Sequence, residues 1–133
     1  MPTDLRVTVQ NRTGAVAEAA EALGQAGVNV LGGFGYAEGG QGVAHLLVED
    51  AQKARQALES AGLQCEESDV IVVPVDDRAG SGAEVLRKAA SAGANLDFMY
   101  TTTRGQLVMG GQDIEAARAA VGGNAETAAA PLT

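Results

Sequence analysis

Aromatic residues are almost missing from this chain. They make up 3% of 133 residues, with two Tyr, two Phe and no Trp. A core must therefore be built from small and mid-sized aliphatic side chains, which the 46% hydrophobic content supplies. Cations are also scarce: nine Lys and Arg stand against seventeen Asp and Glu, a formal net charge of −8. Nucleic-acid phosphate needs clustered Lys and Arg, and an anionic membrane surface repels an acidic chain, so neither is an expected partner. The simplest meaning of the acidity is solubility. The single Cys excludes an intramolecular disulfide and a thiolate-rich metal site, and it points to a reducing compartment. Met1-Pro2-Thr3-Asp4 has neither the basic start nor the apolar run of a secretion signal, and the longest aliphatic run, Val70 to Val75, is far too short to span a bilayer. A cytoplasmic, soluble protein is expected.

What the chain does contain is itself, twice. Asn11-Arg12-Thr13-Gly14 is echoed by Asp77-Arg78-Ala79-Gly80, with Gly14 and Gly80 separated by 66 positions. At the same offset Ala17-Glu18 matches Ala83-Glu84, and Ala26-Gly27-Val28-Asn29-Val30 matches Ala92-Gly93-Ala94-Asn95-Leu96. Later the spacing shortens to 63, where Asp50-Ala51 finds Asp113-Ile114. A period this long exceeds a solenoid repeat and reads as a duplicated small domain.

Each copy alternates strand and helix patterns. Leu5, Val7 and Val9 alternate with Arg6, Thr8 and Gln10, the period of a half-buried strand. Gly14 to Ala26 follows as a helix with Val16, Ala19/Ala20 and Leu23 inward, stopped by Gly27. Val28 to Tyr36 and Gly42 to Val48 read as strands across a Glu38-Gly39-Gly40 turn. Asp50 caps a helix with Ala51, Ala54, Leu58 and Ala61 inward, ended by Gly62, and Leu63 to Val75 is extended. In the second copy Ser81-x-x-Glu84 reads as a capping box, with Leu86 and Ala89/Ala90 inward and Gly93 as the stop. Ala94 to Thr102 and Gln106 to Met109 are strands, and Ile114, Ala117 and Val121 line a last helix ended by Gly122-Gly123. The order βαββαβ appears twice, dividing the chain into 1–68, 69–123 and a tail or weak last strand at 124–133.

This arrangement resembles the ACT domain, a ferredoxin-like amino-acid-sensing module. Asn11-Arg12-Thr13-Gly14-Ala15-Val16 and Gly27-Val28-Asn29-Val30 are similar to the family's Asn-Arg-Pro-Gly-x-Leu loop and Gly-x-Asn-Ile turn, and the second copy repeats both. Thr13 and Ala79 replace the usual Pro, and Gly82 replaces an aliphatic. The resemblance covers Asp4 to about Gly123. It implies an α+β fold of two ferredoxin-like units side by side, forming one continuous sheet of about eight strands with helices on one face. It also implies a ligand-binding role for Asn11, Arg12, Thr13, Gly14, Ala15, Val16, Asp77, Arg78, Ala79, Gly80 and Ser81. In the family, the turn Asn reaches a ligand on the neighbouring domain's loop, so Asn95 would serve the Asn11 loop and Asn29 the Asp77 loop.

Physical chemistry gives these loops a rationale and an ordinary alternative. A helix start exposes unpaired backbone N–H groups and a positive dipole end, suited to an amino-acid carboxylate, and Gly14 lets a ligand approach the backbone. The alternative is a plain strand-to-helix turn capped by Asn or Thr. For Asn29 and Asn95 the alternative is a turn residue. Asp77 stands where Asn11 does and repels a ligand carboxylate, so the two sites should differ. Gly33-x-Gly35 lacks the third glycine and the helix of a dinucleotide fingerprint and reads as a strand with room for a close neighbour. His45, Cys65 and Tyr100 are the candidates for a small enzyme, but no convergent acid–base or metal cluster accompanies them. Val70 and Val72 fall on the face opposite the expected core, a bare apolar face that a second subunit would cover.

The sequence therefore points to a non-enzymatic regulatory protein that binds a free amino acid or similar small zwitterion between its repeats, with no cofactor and no metal, and forms a homodimer. A structural or adaptor module with degenerate pockets is the alternative.

Overall fold

The computed structural model describes residues 2–122, so the expected tail or weak strand at 124–133 lies outside the described residues. The chain divides into two compact units, Thr3–Ser68 and Asp69 onward, the latter joined by Pro2.

The first unit runs β1 (Thr3–Gln10), α1 (Ala15–Gln25), β2 (Val30–Glu38), β3 (Gln41–Val48), α2 (Ala51–Ser60) and β4 (Gln64–Asp69). Its four strands form one sheet in the order β2-β3-β1-β4, with β1 and β2 both antiparallel to β3. The alternation in β1 sends Leu5, Val7 and Val9 to the helical side, where they meet Ala15, Ala19 and Leu23 of α1 and Ala54 and Leu58 of α2. Burial of each such Leu or Val contributes roughly 1.5–3 kcal/mol.

The second unit runs β5 (Ile71–Pro74), α3 (Ser81–Ser91), β6 (Asn95–Thr101), β7 (Gln106–Gln112) and α4 (Ile114–Val121). Its sheet has the order β5-β7-β6, and Ile71, Val73, Leu107 and Met109 pack against Ala89, Ile114 and Ala117. Two ferredoxin-like units are thus present. The seven strands of the described residues lie in two hydrogen-bonded sheets, where one continuous sheet was expected.

Glycine ends the helices as the sequence implies. Gly27, Gly62 and Gly93 have positive φ, and the next residue's N–H reaches back five residues, from Val28 to Leu23, Leu63 to Leu58 and Ala94 to Ala89. This is the Schellman pattern.

Four expectations need correction. Val16 points outward, 64% exposed, because the buried stripe of α1 follows Ala15, Ala19 and Leu23 at four-residue spacing. The expected extended run from Leu63 to Val75 breaks at Val70, whose N–H donates to Pro2 O at 3.1 Å, so β4 and β5 belong to different sheets. The capping box is not formed: Gly80 caps α3, and the Ser81 hydroxyl instead accepts from the Asp76 N–H at 2.9 Å. Finally, Val70 and Val72 are fully buried within the single chain, so they present no bare face and give no argument for a homodimer.

Candidate functional site

The loop from β1 into α1 is shaped by its own backbone. Arg12 N–H donates to Gln10 O at 2.9 Å and Ala15 N–H to Arg12 O at 3.3 Å. Gly14 then takes φ 86° as the cap of α1, and its carbonyl accepts from Glu18 N–H at 2.9 Å. A side chain in this left-handed conformation is strained, which is why the position is glycine. Glycine has no side chain to cap the helix, so the N–H groups of Val16 and Ala17 have no partner among the described residues. The second copy repeats each step. Arg78 N–H donates to Asp76 O at 3.0 Å, Ser81 N–H to Arg78 O at 3.3 Å, and Gly80 has φ 87° with Glu84 N–H on its carbonyl at 3.0 Å.

The side chains repeat as well. Arg12 Nη2 pairs with Glu18 Oε2 at 2.5 Å, and Arg78 Nη2 with Glu84 Oε2 at 3.0 Å. The loop arginine thus turns over the first turn of its helix onto the glutamate six residues ahead. Charge separates the two copies. Gln10 Oε1 accepts from Arg12 Nε at 3.3 Å, whereas the matching position in the second loop is Asp76, whose carboxylate lies 3.7 Å from Arg78 Nε. Asp76 and Asp77 therefore replace Gln10 and Asn11, and the second loop carries two extra negative charges. The hydrogen bond that Arg78 donates to Glu84 is the largest influence on it, followed by the Glu84 and Asp76 charges, and together they raise its pKa. The same hydrogen bond lowers that of Glu84.

Beside the first loop lies a cleft of about 490 Å³. It is bordered by Arg12 and Glu18, by the strand ends Thr8, Gln10 and Gln41, and by Gln64 after the turn from α2. Its size is that of a small-molecule site. Of the loop residues proposed from sequence, Arg12 and Ala15 line it, while Asn11, Thr13 and Gly14 lie on the exposed loop outside its lining. Val16 borders a separate apolar cleft of about 160 Å³ on the other side of α1, with Val7, Ala20, Val30 and Leu46. In the second unit Asp77, Arg78, Ala79 and Gly80 are exposed and Ser81 is buried. Asn29 is exposed and its Nδ2 donates to Glu49 Oε1 at 3.4 Å. Asn95 is exposed at the start of β6, opposite Gln112. Neither asparagine lines the two clefts. Glu18, Gln41 and Gln64 were missed as candidates because they come from three separate segments. Only the match of Glu18 to Glu84 across the repeat signals any of them.

The residues considered for catalysis are spoken for. His45 is buried on β3 with Nδ1 2.8 Å from Asp4 Oδ2, and its ring stacks on Phe34 at 4.9 Å. Cys65 is in the core under the helices, where burial is the main cause of its raised pKa. In the register of β1 and β3, His45 opposes Arg6 and so lies on the sheet face away from that core. A Cys–His pair is therefore not formed. Tyr100 is buried on β6 and stacks on Phe98 at 6.2 Å. Among the described residues no group of three His, Cys, Asp or Glu is placed to hold a metal ion, and no helix is long and apolar enough to cross a membrane.

Comparison with solved structures finds the same fold elsewhere. Protein BT0572 from Bacteroides thetaiotaomicron matches with a TM-score of 0.82 at 18% identity, covering 96% of this chain and 94% of that one. The ligand-free regulatory subunit of aspartate kinase from Thermus thermophilus matches at 0.65 and 21% identity, with 91% of each chain covered. The corresponding subunit from Thermus flavus matches at 0.58 and 22% identity, with 92% of each covered. A search of curated protein sequences gives no match. The family model described as an ACT domain pair matches residues 2–126, nearly the whole chain. With the duplicated loop, the paired glycine caps and the two ferredoxin-like units, that match makes this chain a member of the ACT domain pair family.

Proposed function

We propose that this protein is a regulatory module that binds a free amino acid in the cleft beside the Asn11–Gly14 loop and acts through a partner rather than by catalysis. The observation that carries this reading is the Arg12–Glu18 pair, which lines that cleft at the start of α1. An amino acid brings one carboxylate and one ammonium. The carboxylate pairs with Arg12 near the positive end of the α1 dipole, and the ammonium pairs with Glu18, so one exposed ion pair is exchanged for two.

The second loop has the same backbone but two more carboxylates, which repel a ligand carboxylate, so the first loop is the stronger site. Regulation follows by linkage: a ligand that favours one arrangement of the module changes the affinity of whatever reads that arrangement. The Thermus aspartate kinase regulatory subunits, which share the fold, are regulatory chains by name.

Thermal unfolding across the common L-amino acids tests the reading. A ligand at about 100 times its dissociation constant adds about 2.7 kcal/mol of stability. No shift with any amino acid at millimolar concentration would leave the adaptor alternative in place.

A further inference from the structure

Three glutamines from distant parts of the sequence meet at one end of one sheet. Gln10 ends β1, Gln41 begins β3 and Gln64 begins β4. These strands are neighbours in the order β3-β1-β4, and Gln10 and Gln41 are direct cross-strand partners. All three are exposed, and all three line the cleft that holds Arg12 and Glu18. Gln10 Oε1 accepts from Arg12 Nε at 3.3 Å, which leaves its amide N–H groups for another acceptor.

We infer that this row of carboxamides reads the side chain of the ligand, and that the ligand class is an amino acid with an uncharged hydrogen-bonding side chain, a carboxamide above all. The inference rests on the amino-acid-binding reading of the same cleft. Among the described residues Arg12 and Glu18 are the only ionisable side chains lining it, and the ligand's carboxylate and ammonium occupy both. A charged ligand side chain then meets amides and the Thr8 hydroxyl but no counter-ion, and it loses water without regaining a pair. An aliphatic side chain covers the same donors and acceptors without bonding to them, which leaves them unsatisfied. A carboxamide both donates and accepts, as each glutamine does, so amide–amide pairing satisfies both partners. The corresponding end of the second unit lacks this chemistry at its first position, because Asp76 stands where Gln10 does.

Calorimetric titration of the full chain with L-glutamine, L-asparagine, L-glutamate, L-lysine and L-leucine tests the assignment. The carboxamides should bind at least about tenfold tighter than the other three, the worth of one net hydrogen bond. Gln64→Leu should erase that preference, and Gln64→Glu should move it toward lysine, a gain that misfolding cannot mimic. Tighter binding of glutamate, lysine or leucine by the unaltered chain overturns the inference while the amino-acid site itself survives. A glutamine preference unchanged in both Gln64 variants overturns it too. No heat with any of these ligands or with the remaining common amino acids removes the proposed function, and this inference with it.

Discussion

Gly14 and Gly80 hold φ values of 86° and 87°, and a Cβ at either would meet no atom within 4 Å. Space is therefore not the constraint; the left-handed backbone is. Gly14→Ala and Gly80→Ala should each cost about 1–2 kcal/mol of stability, read by urea unfolding. A neutral result at both positions would contradict the assigned caps. In the proposed function Arg12 is the residue on which binding turns, because it alone of the loop's polar side chains lines the cleft. Asn11 and Thr13 carry the sequence resemblance but sit outside that lining. Arg12→Met should weaken amino-acid binding about tenfold or more, as expected for a lost charged hydrogen bond, and Asn11→Ala should weaken it less. The loop motif was legible in sequence, but which of its members faces the cleft was not, since that depends on how the turn projects each side chain.

Charge also acts at this scale through pH. Glu84 and Glu115 have lowered pKa values, each chiefly through a hydrogen bond from an arginine, Arg78 and Arg118 respectively. A carboxylate depressed in the folded state favours folding above its unfolded pKa and loses that contribution as pH falls through the folded value. Both groups are exposed, so the effect is small. Acid unfolding curves should show Glu84→Gln costing stability at neutral pH but not well below the ordinary glutamate range of about pH 4. A cost that persists unchanged in acid would mean the ion pair is not its source.

At the scale of elements, hydrophobic periodicity and glycine punctuation located the four helices and five of the seven strands of the described residues, and ran β4 and β5 together as one extended segment. The miss lies at Val70. The polar Glu66-Glu67-Ser68-Asp69 before the aliphatic run weakens the strand pattern there, but propensity does not encode which sheet a strand joins. The break is held by two long-range bonds: Val70 N–H to Pro2 O at 3.1 Å, and Arg118 Nη1 to Val70 O at 3.1 Å. Arg118 is a partly buried anchor from α4, with its side chain 13% exposed, and also pairs with Glu115 at 2.9 Å. Arg118→Met keeps most of the apolar stem and removes the donors, so it should destabilise the protein by about 1.5–3 kcal/mol in thermal or urea unfolding. Ser81 was misread for a related reason. A Ser three residues before Glu has the pattern of a capping box, yet the glycine just before it already takes the cap, which frees the hydroxyl to accept from Asp76 N–H.

For the molecule as a whole, duplication was the decisive signal, and it led to the right family from short and degenerate motifs. What duplication conceals is divergence. The two copies share the loop backbone, the glycine cap and the Arg–Glu pair, but the first has Gln10 and Asn11 where the second has Asp76 and Asp77. The glutamine row was beyond reach of the sequence, because residues 10, 41 and 64 come together only when β3, β1 and β4 align. The proposed function requires that a free amino acid bind at the first loop and not equally at the second. The most direct measurement is calorimetric titration of the unaltered chain, Arg12→Met and Arg78→Met with the strongest amino-acid ligand found by thermal shift. Arg12→Met should lose tight binding while Arg78→Met retains it. Loss of binding in Arg78→Met alone, or equal affinity in all three proteins, would contradict it.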